Sequence, residues 1–356
     1  MKQSSRISGW VRKTVQGLSP YASARSEFSE TGESVVLLDA NESPFENGIN
    51  RYPDPLQRQL KALLAAQMGV DPGHMLLGNG SDEVLDLVFR VFCEPNTDAV
   101  ITLPPTFGMF KVLAGINAIT NIEVPLDPDF QPDVPAILEA SGPRTKVLFL
   151  CSPNNPTGNV AEPDRVRQLL DAFPGLVVVD EAYIQFASGP GLERWLEQYD
   201  NLIITRTLSK AYGMAGIRLG MCLAHPEVIG YMNRIKLPYN VNELTQRRAL
   251  EALRDKAQFQ HNVEVILSER NRLAAYFERC PIVEKVFPSE ANFLLVRVDD
   301  AALRYRQLVD AGIVVRNRSG QLRCENTLRI TVGTPEENNR LMAVVDRLKS
   351  IENEKA

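Results

Sequence analysis

The feature that most constrains this chain is a set of short apolar runs, each ending abruptly in polar residues. KVLFLC (146–151) runs into SPNNPTGN, LVVVD (176–180) into EAY, and NLIIT (201–205) into RTLSKAYG. AVITL (99–103) and HMLLG (74–78) share the pattern, and the latter leads into NGSDE. Runs of leucine and β-branched residues without polar alternation fit strands covered on both faces, as in a mainly parallel sheet. EPDRVRQLLDAF (162–173), between two of the runs, has a helical period, so strand and helix alternate. IRLGMCLA (217–224) reads as one more strand. Open sheets of this kind bind ligands beyond the carboxyl ends of their strands. There this chain places glycines, amides, a carboxylate and a lysine.

Flanking segments extend the pattern. LQRQLKALLAAQM (56–68) is helical in period, and so is the run that follows Ser81. From about residue 240 the texture changes. Residues 243–279 are charged and helical; FLLVRV (293–298), IVVRN (313–317) and LRITV (328–332) read as strands between helices AALRYRQLVDAG and EENNRLMAVVDRLKS. We expect an α/β chain of two domains: a large one over 36–240, and a smaller α+β unit over 241–356 joined by residues 1–35. A length of 356 residues suits that division.

Charge and composition narrow the function. A formal net charge of −5 argues against a nucleic-acid binder, which carries a basic surplus. The five cysteines show no C-x-x-C spacing and the three histidines lie far apart, so no metal site is expected. Scattered thiols of this kind suit a reducing compartment. The polar N-terminus lacks the apolar core of a signal peptide, and no apolar run approaches the ~20 residues of a membrane span. The expected location is the cytoplasm, without membrane or nucleic-acid partners.

At the strand ends each candidate residue has two readings. Gly78-Asn79-Gly80-Ser81-Asp82-Glu83 opens an apolar helix. It is either a phosphate site made by free N–H groups and the helix dipole, or an ordinary helix start capped by Ser81. Lys210 just past a buried strand is either a Schiff-base nucleophile or a lysine whose head reaches water. Arg218 suits a phosphate with its planar fork, or a structural ion pair. Asp180 closes four apolar residues and must have a partner, a cationic ring nitrogen or a backbone cap. Asn155 lies in a turn where asparagine is common for geometry alone, and Tyr183 fits a core position equally well.

Taken together, GNGSDE, PPTFGMF, SPNNPTG, VVVDEAY, TLSKAYGMAGIRLG and LRITVGT resemble, in this order, the fold-type I pyridoxal 5′-phosphate (PLP) aminotransferases, of the aspartate-aminotransferase class. The resemblance spans roughly residues 17–348. GLSPYASAR, LLDANESPF, RYPDP and the pair Arg316 and Arg329 resemble the branch that acts on histidinol phosphate. It implies that Lys210 carries PLP as a Schiff base and that Asp180 keeps the pyridine nitrogen protonated. Asn155 and Tyr183 would bond the ring hydroxyl and Phe107 would stack on the ring. The backbone at Gly80 and Ser81, with Thr207, Ser209 and Arg218, would hold the cofactor phosphate. Tyr52 would reach that phosphate from the neighbouring subunit of a homodimer. Tyr21, Asn155, Arg316 and Arg329 would line the substrate pocket. Many relatives have tyrosine where this chain has Phe107; a ring suffices for stacking, but any hydroxyl contact is lost.

The implied reaction is transamination of L-histidinol phosphate with 2-oxoglutarate, giving imidazole acetol phosphate and L-glutamate in histidine biosynthesis. Lys210 would act as the base at Cα, with ping-pong kinetics. Two other activities of the same fold compete with this reading, threonine-phosphate decarboxylation and aromatic amino-acid transamination.

Overall fold

The computed structural model describes residues 6–19 and 36–353, with side chains to residue 348. Its larger sheet has seven strands: β1 (Met75–Asn79), β2 (Ala99–Thr102), β3 (Thr120–Glu123), β4 (Thr145–Cys151), β5 (Leu176–Asp180), β6 (Leu202–Thr207) and β7 (Leu219–Ala224). Their spatial order is β1-β7-β6-β5-β4-β2-β3. The pairs among β2 to β6 are parallel, while β7 runs antiparallel to both β6 and β1. Every residue of β5, β6 and β7 is buried. This is why the sequence there shows no alternation: side chains point up and down into apolar layers on both faces.

Those two layers can be read along β4. Val147, Phe149 and Cys151 join one core, with the helices α1 (Lys13–Gln16), α3 (Ser81–Phe92), α4 (Met109–Ile116) and α7 (Pro226–Ile235). Leu148 and Leu150 join the other, with α2 (Arg58–Met68), α5 (Val134–Ala140), α6 (Pro163–Ala172) and α8 (Glu243–Arg254). The described N-terminal residues, expected beside the second unit, pack instead on the large sheet. Ile7, Trp10, Val11 and Val15 are buried in its first core, and the Trp10 indole donates to the Pro174 carbonyl at 3.0 Å.

The second sheet is antiparallel throughout, in the order β10-β11-β9-β8. Its strands are β8 (Val283–Val286), β9 (Phe293–Val298), β10 (Arg316–Asn317) and β11 (Thr327–Thr331). The helices α9 (Lys256–Phe277), α10 (Ala301–Asp310) and α11 (Pro335–Asn353) pack on it through Leu273, Phe277, Leu308, Leu341 and Val344.

Local chemistry accounts for the departures from the sequence expectations. The helical stretch 243–279 is two helices, because Asp255 leaves the helical conformation and its carboxylate caps the second through the Gln258 N–H. IVVRN pairs only at Arg316–Asn317, at the edge of its sheet. IRLGMCLA becomes a strand only at Leu219, since Arg218 takes a left-handed conformation at φ 54°. Between β5 and β6 there are two short 3-10 turns, Ile184–Phe186 and Glu193–Glu197, and no α-helix, consistent with the Gly189-Pro190-Gly191 break.

Candidate active site

The carboxyl ends of β4, β5 and β6 lie side by side, because Cys151 is in register with Asp180 and Asp180 with Thr205. They floor a cleft of about 590 Å³ whose far wall is the second sheet. Asp180 is buried there; its Oδ1 accepts from the Thr205 hydroxyl at 3.0 Å and the Ala182 N–H supports it. No ion pair neutralises it among the described residues. Burial, only partly offset by those bonds, pushes its pKa up to about 6. The next residue, Glu181, points to the opposite side and pairs with buried Arg206 at 2.6 Å; Arg206 also reaches Glu193. That cluster ties β5 to β6 behind the cleft.

Lys210 follows β6 in a bend closed by the Gly213 N–H on its carbonyl. Its ammonium lies 5.7 Å from the centre of the Tyr183 ring. Solvent reaches it through the mouth of the cleft, yet desolvation and then the nearby Arg329 charge lower its pKa. Tyr183 is buried, packed edge-on against Phe293 at 5.2 Å, and burial raises its pKa, so the phenol keeps its proton. Asn154 and Asn155 divide the work of their turn. Asn154 is buried and bonds Pro105, Thr106 and Thr157, while Asn155 faces the cleft and accepts from Arg329 Nη1. Phe107 stands half-buried on a ladder of rings, edge-on to Phe110, which stacks on Phe149 at 5.0 Å.

The glycine turn lies at one end of the cleft. β7 joins both neighbours here, with Gly220 in register with Thr207 on one side and Gly78 on the other. The cap of α3 is Gly80, at φ 81°, and Ser81 makes no side-chain cap, so the capped-helix reading does not hold. The first-turn N–H groups therefore lack a side-chain acceptor. Gly220 allows the close approach, since a Cβ there would lie 2.2 Å from the Ser81 nitrogen. Ser209 and Thr207 bond each other at 3.0 Å beside this turn. Arg218 reaches over Gly80, makes a loose, half-exposed pair with Asp82 at 3.7 Å and donates to the Ala215 carbonyl at 3.4 Å. Free N–H groups, two hydroxyls and a guanidinium form a pocket suited to a phosphate dianion.

Arg316, Arg318, Gln321 and Arg329 form the opposite wall. Arg316 and Arg329 are register partners across β10 and β11. The cleft thus gathers Ser81, Phe107, Asn155, Asp180, Tyr183, Thr207, Ser209, Lys210, Arg218, Arg316 and Arg329 from the expected set. Tyr52 does not line it: the ring is half-exposed and stacks on Tyr239 at 4.5 Å beside a separate concavity. Tyr21 lies outside the described residues. The sequence reading had not singled out Asp82, Met109, Cys151, Arg318 or Gln321 as cleft residues. For Arg318 a signal was present, its two-residue spacing from Arg316. No group of metal-binding side chains occurs among the described residues.

Comparison with known proteins gives the frame for this cleft. The family model described as aminotransferase class I and II matches residues 33–345. The chain belongs to that family. A curated histidinol-phosphate aminotransferase of Flavobacterium psychrophilum is 53% identical over 342 residues, covering 96% of this chain and 99% of that protein. One from Flavobacterium johnsoniae is 55% identical over 330 residues, covering 92% and 94%. Among solved structures, the Sinorhizobium meliloti histidinol-phosphate aminotransferase in complex with pyridoxal-5′-phosphate superposes with a TM-score of 0.75 at 26% identity, covering 84% of this chain and 83% of that one. This aminotransferase shares their fold, with the mainly parallel sheet carrying the cleft.

Proposed function

We propose that this aminotransferase uses PLP to transfer the amino group of L-histidinol phosphate to 2-oxoglutarate, forming imidazole acetol phosphate and L-glutamate in histidine biosynthesis. The observation that carries this reading is the convergence of Lys210, Asp180 and the Arg316–Arg329 pair on one cleft in a chain 53–55% identical to curated enzymes of that name.

The donor set fits the cofactor. A buried carboxylate without a cation, Asp180, calls for a positively charged ring nitrogen. The cradle at Gly80 and Gly220 leaves room for a phosphate close to backbone N–H groups. When bound, PLP supplies an aldehyde for the amine and an electron-withdrawing ring. Lys210 would hold the cofactor, and its amine, once displaced by the substrate amine, would take the proton from the substrate Cα and pass it to the cofactor carbon. Its lowered pKa enlarges the fraction able to accept that proton near neutrality. Asp180 keeps the proton on the ring nitrogen. Tyr183, protonated, and Asn155 orient the ring through its hydroxyl, and Phe107 stacks on its face. Gly80, Ser81, Thr207, Ser209 and Arg218 anchor the phosphate. Arg316 and Arg329 bind the anionic end of each substrate in turn, Arg329 with Asn155.

The same reading makes the enzyme a homodimer in which Tyr52 enters the neighbouring cleft. Exposed Leu38, Phe45, Ile49, Leu237 and Leu244 support an interface near Tyr52. The five cysteines are buried and form no disulfide, which suits the cytoplasm, and no described helix is long and apolar enough to cross a membrane.

The test is optical. Adding L-histidinol phosphate to the yellow PLP form of the purified protein is expected to convert its visible band, and 2-oxoglutarate to restore it. A band unmoved by histidinol phosphate but moved by threonine phosphate or an aromatic amino acid would reject the substrate assignment.

A further inference from the structure

The second sheet delivers one more cation to the cleft than the pair already described. Side chains two apart on a strand share a face. Beyond the register pair Arg316 and Arg329, the Arg318 N–H donates to the Thr327 carbonyl at 2.9 Å and so continues the ladder. Arg316 and Arg318 therefore project toward the same side as Arg329. Between them, on the other face, Leu328 is buried in the core of the second unit. A turn closed by the Gln321 N–H on the Arg318 carbonyl then brings Gln321 back to the same wall.

Arg318 has the features of a group built for an absent anion. Among the described residues its guanidinium makes no hydrogen bond and no ion pair, and its buried Nε has no partner. Arg329 Nε, Gln321 Oε1 and Ser319 Oγ are in the same state, so four of the six such buried atoms lie within 318–329. The charge that weighs on Arg318 is that of Arg316; its other neighbours, the Tyr183 phenol and the Cys324 thiol, keep their protons, and no carboxylate is among them. A surface arginine would shed this repulsion by turning to solvent, and a structural one would have an acceptor. Three guanidinium groups with no acid among them suit a dianion with three terminal oxygens better than one planar carboxylate, which two arginines already satisfy. The cofactor phosphate is provided for at the α3 end of the cleft.

We propose that Arg318 is a third phosphate-binding arginine of the substrate site, setting the preference for a phosphorylated amine over its dephosphorylated form. This rests on the function proposed above and names the residue that selects its substrate class.

The experiment compares wild type, Arg318→Ala and Arg318→Lys, each loaded with PLP so that the cofactor phosphate site is filled. Two quantities are measured: kcat/KM for L-histidinol phosphate against L-histidinol, and the inhibition constant of inorganic phosphate competing with L-glutamate. Loss of a charge-assisted bond predicts a fall of about 10- to 100-fold in the phosphorylated-to-unphosphorylated ratio for Arg318→Ala. Phosphate inhibition is expected to weaken in parallel, and Arg318→Lys to recover part of both. Equal losses on the two amines, or an unchanged phosphate constant, would overturn the proposal. If the wild type fails to turn over histidinol phosphate, the proposed function falls, while the phosphate constants of the variants still decide the role of Arg318. Should Arg318→Ala not fold, Arg318→Lys and Arg318→Gln carry the same comparison.

Discussion

Lys210 and Asp180 carry opposite burdens from the same low-dielectric floor. Burial favours the neutral form of each, so the lysine is depressed and the carboxylate raised. Replacing Lys210 by alanine is expected to cut turnover by at least about 10²–10⁴-fold while leaving the thermal unfolding curve nearly unchanged. Single-turnover absorbance and calorimetry check the two halves of that statement. Asp180 has a distinct signature in the cofactor-free protein. Its pKa rises from 3.8 to about 6 on folding, so the folded state binds that proton more tightly. The stability it contributes is fully present below pH 3.8 and is lost as pH rises through about 6. Asp180→Asn removes this loss, and the apoprotein should gain up to about 3 kcal/mol at pH 7 relative to wild type, an upper bound from the size of the shift. Urea unfolding at pH 4 and pH 7 measures it. With PLP bound the order should reverse, because the charge then has a cationic partner, and turnover of Asp180→Asn should fall by about 10²-fold or more.

At the scale of elements, the decisive contact is between the start of α3 and β7. Gly220→Ala places a Cβ against the backbone of Ser81, which no side-chain rotation can relieve. We expect about 1–3 kcal/mol of lost stability and weaker PLP binding, read from thermal melts and cofactor titration. A Gly220→Ala protein with wild-type PLP affinity would show that this approach does not shape the phosphate pocket. The ends of β5 and β6 are joined differently, through buried Arg206 between Glu181 and Glu193. Arg206→Met leaves two carboxylates facing each other in the interior and should cost about 3–5 kcal/mol in urea unfolding. The strands themselves were legible in the sequence, because burial on both faces removes polar alternation: LVVVD and FLLVRV match β5 and β9 residue for residue. The edge strands β3 and β8 were not, since TNIE and VEKV are partly exposed and carry no such run.

At the scale of the whole molecule, Tyr52 stacks on Tyr239 away from the cleft of its own chain. If it serves a neighbouring subunit, Lys210→Ala and Tyr52→Ala chains should complement each other. Random reassortment gives half mixed dimers with one intact site of two, or about a quarter of wild-type activity. Inactive mixtures that have demonstrably exchanged subunits would place Tyr52 outside the active site. The sequence by itself determined the order of chemistry along the chain: glycine turn, amide, carboxylate and lysine, each just past an apolar run, with Arg218 eight residues beyond the lysine. It could do so because buried parallel strands write themselves as apolar runs and sites form where those runs end. Only the tertiary structure decided which alternatives hold. Ser81 does not cap α3, because Gly80 takes that position in a conformation costly for other residues. The N-terminal residues Ile7 to Val15 choose the large sheet, because their apolar side chains complete its core. Arg318 joins Arg316 and Arg329 in the cleft because pairing across β10 and β11 aims side chains two apart at the same wall, a relation that needs the partner strand to exist.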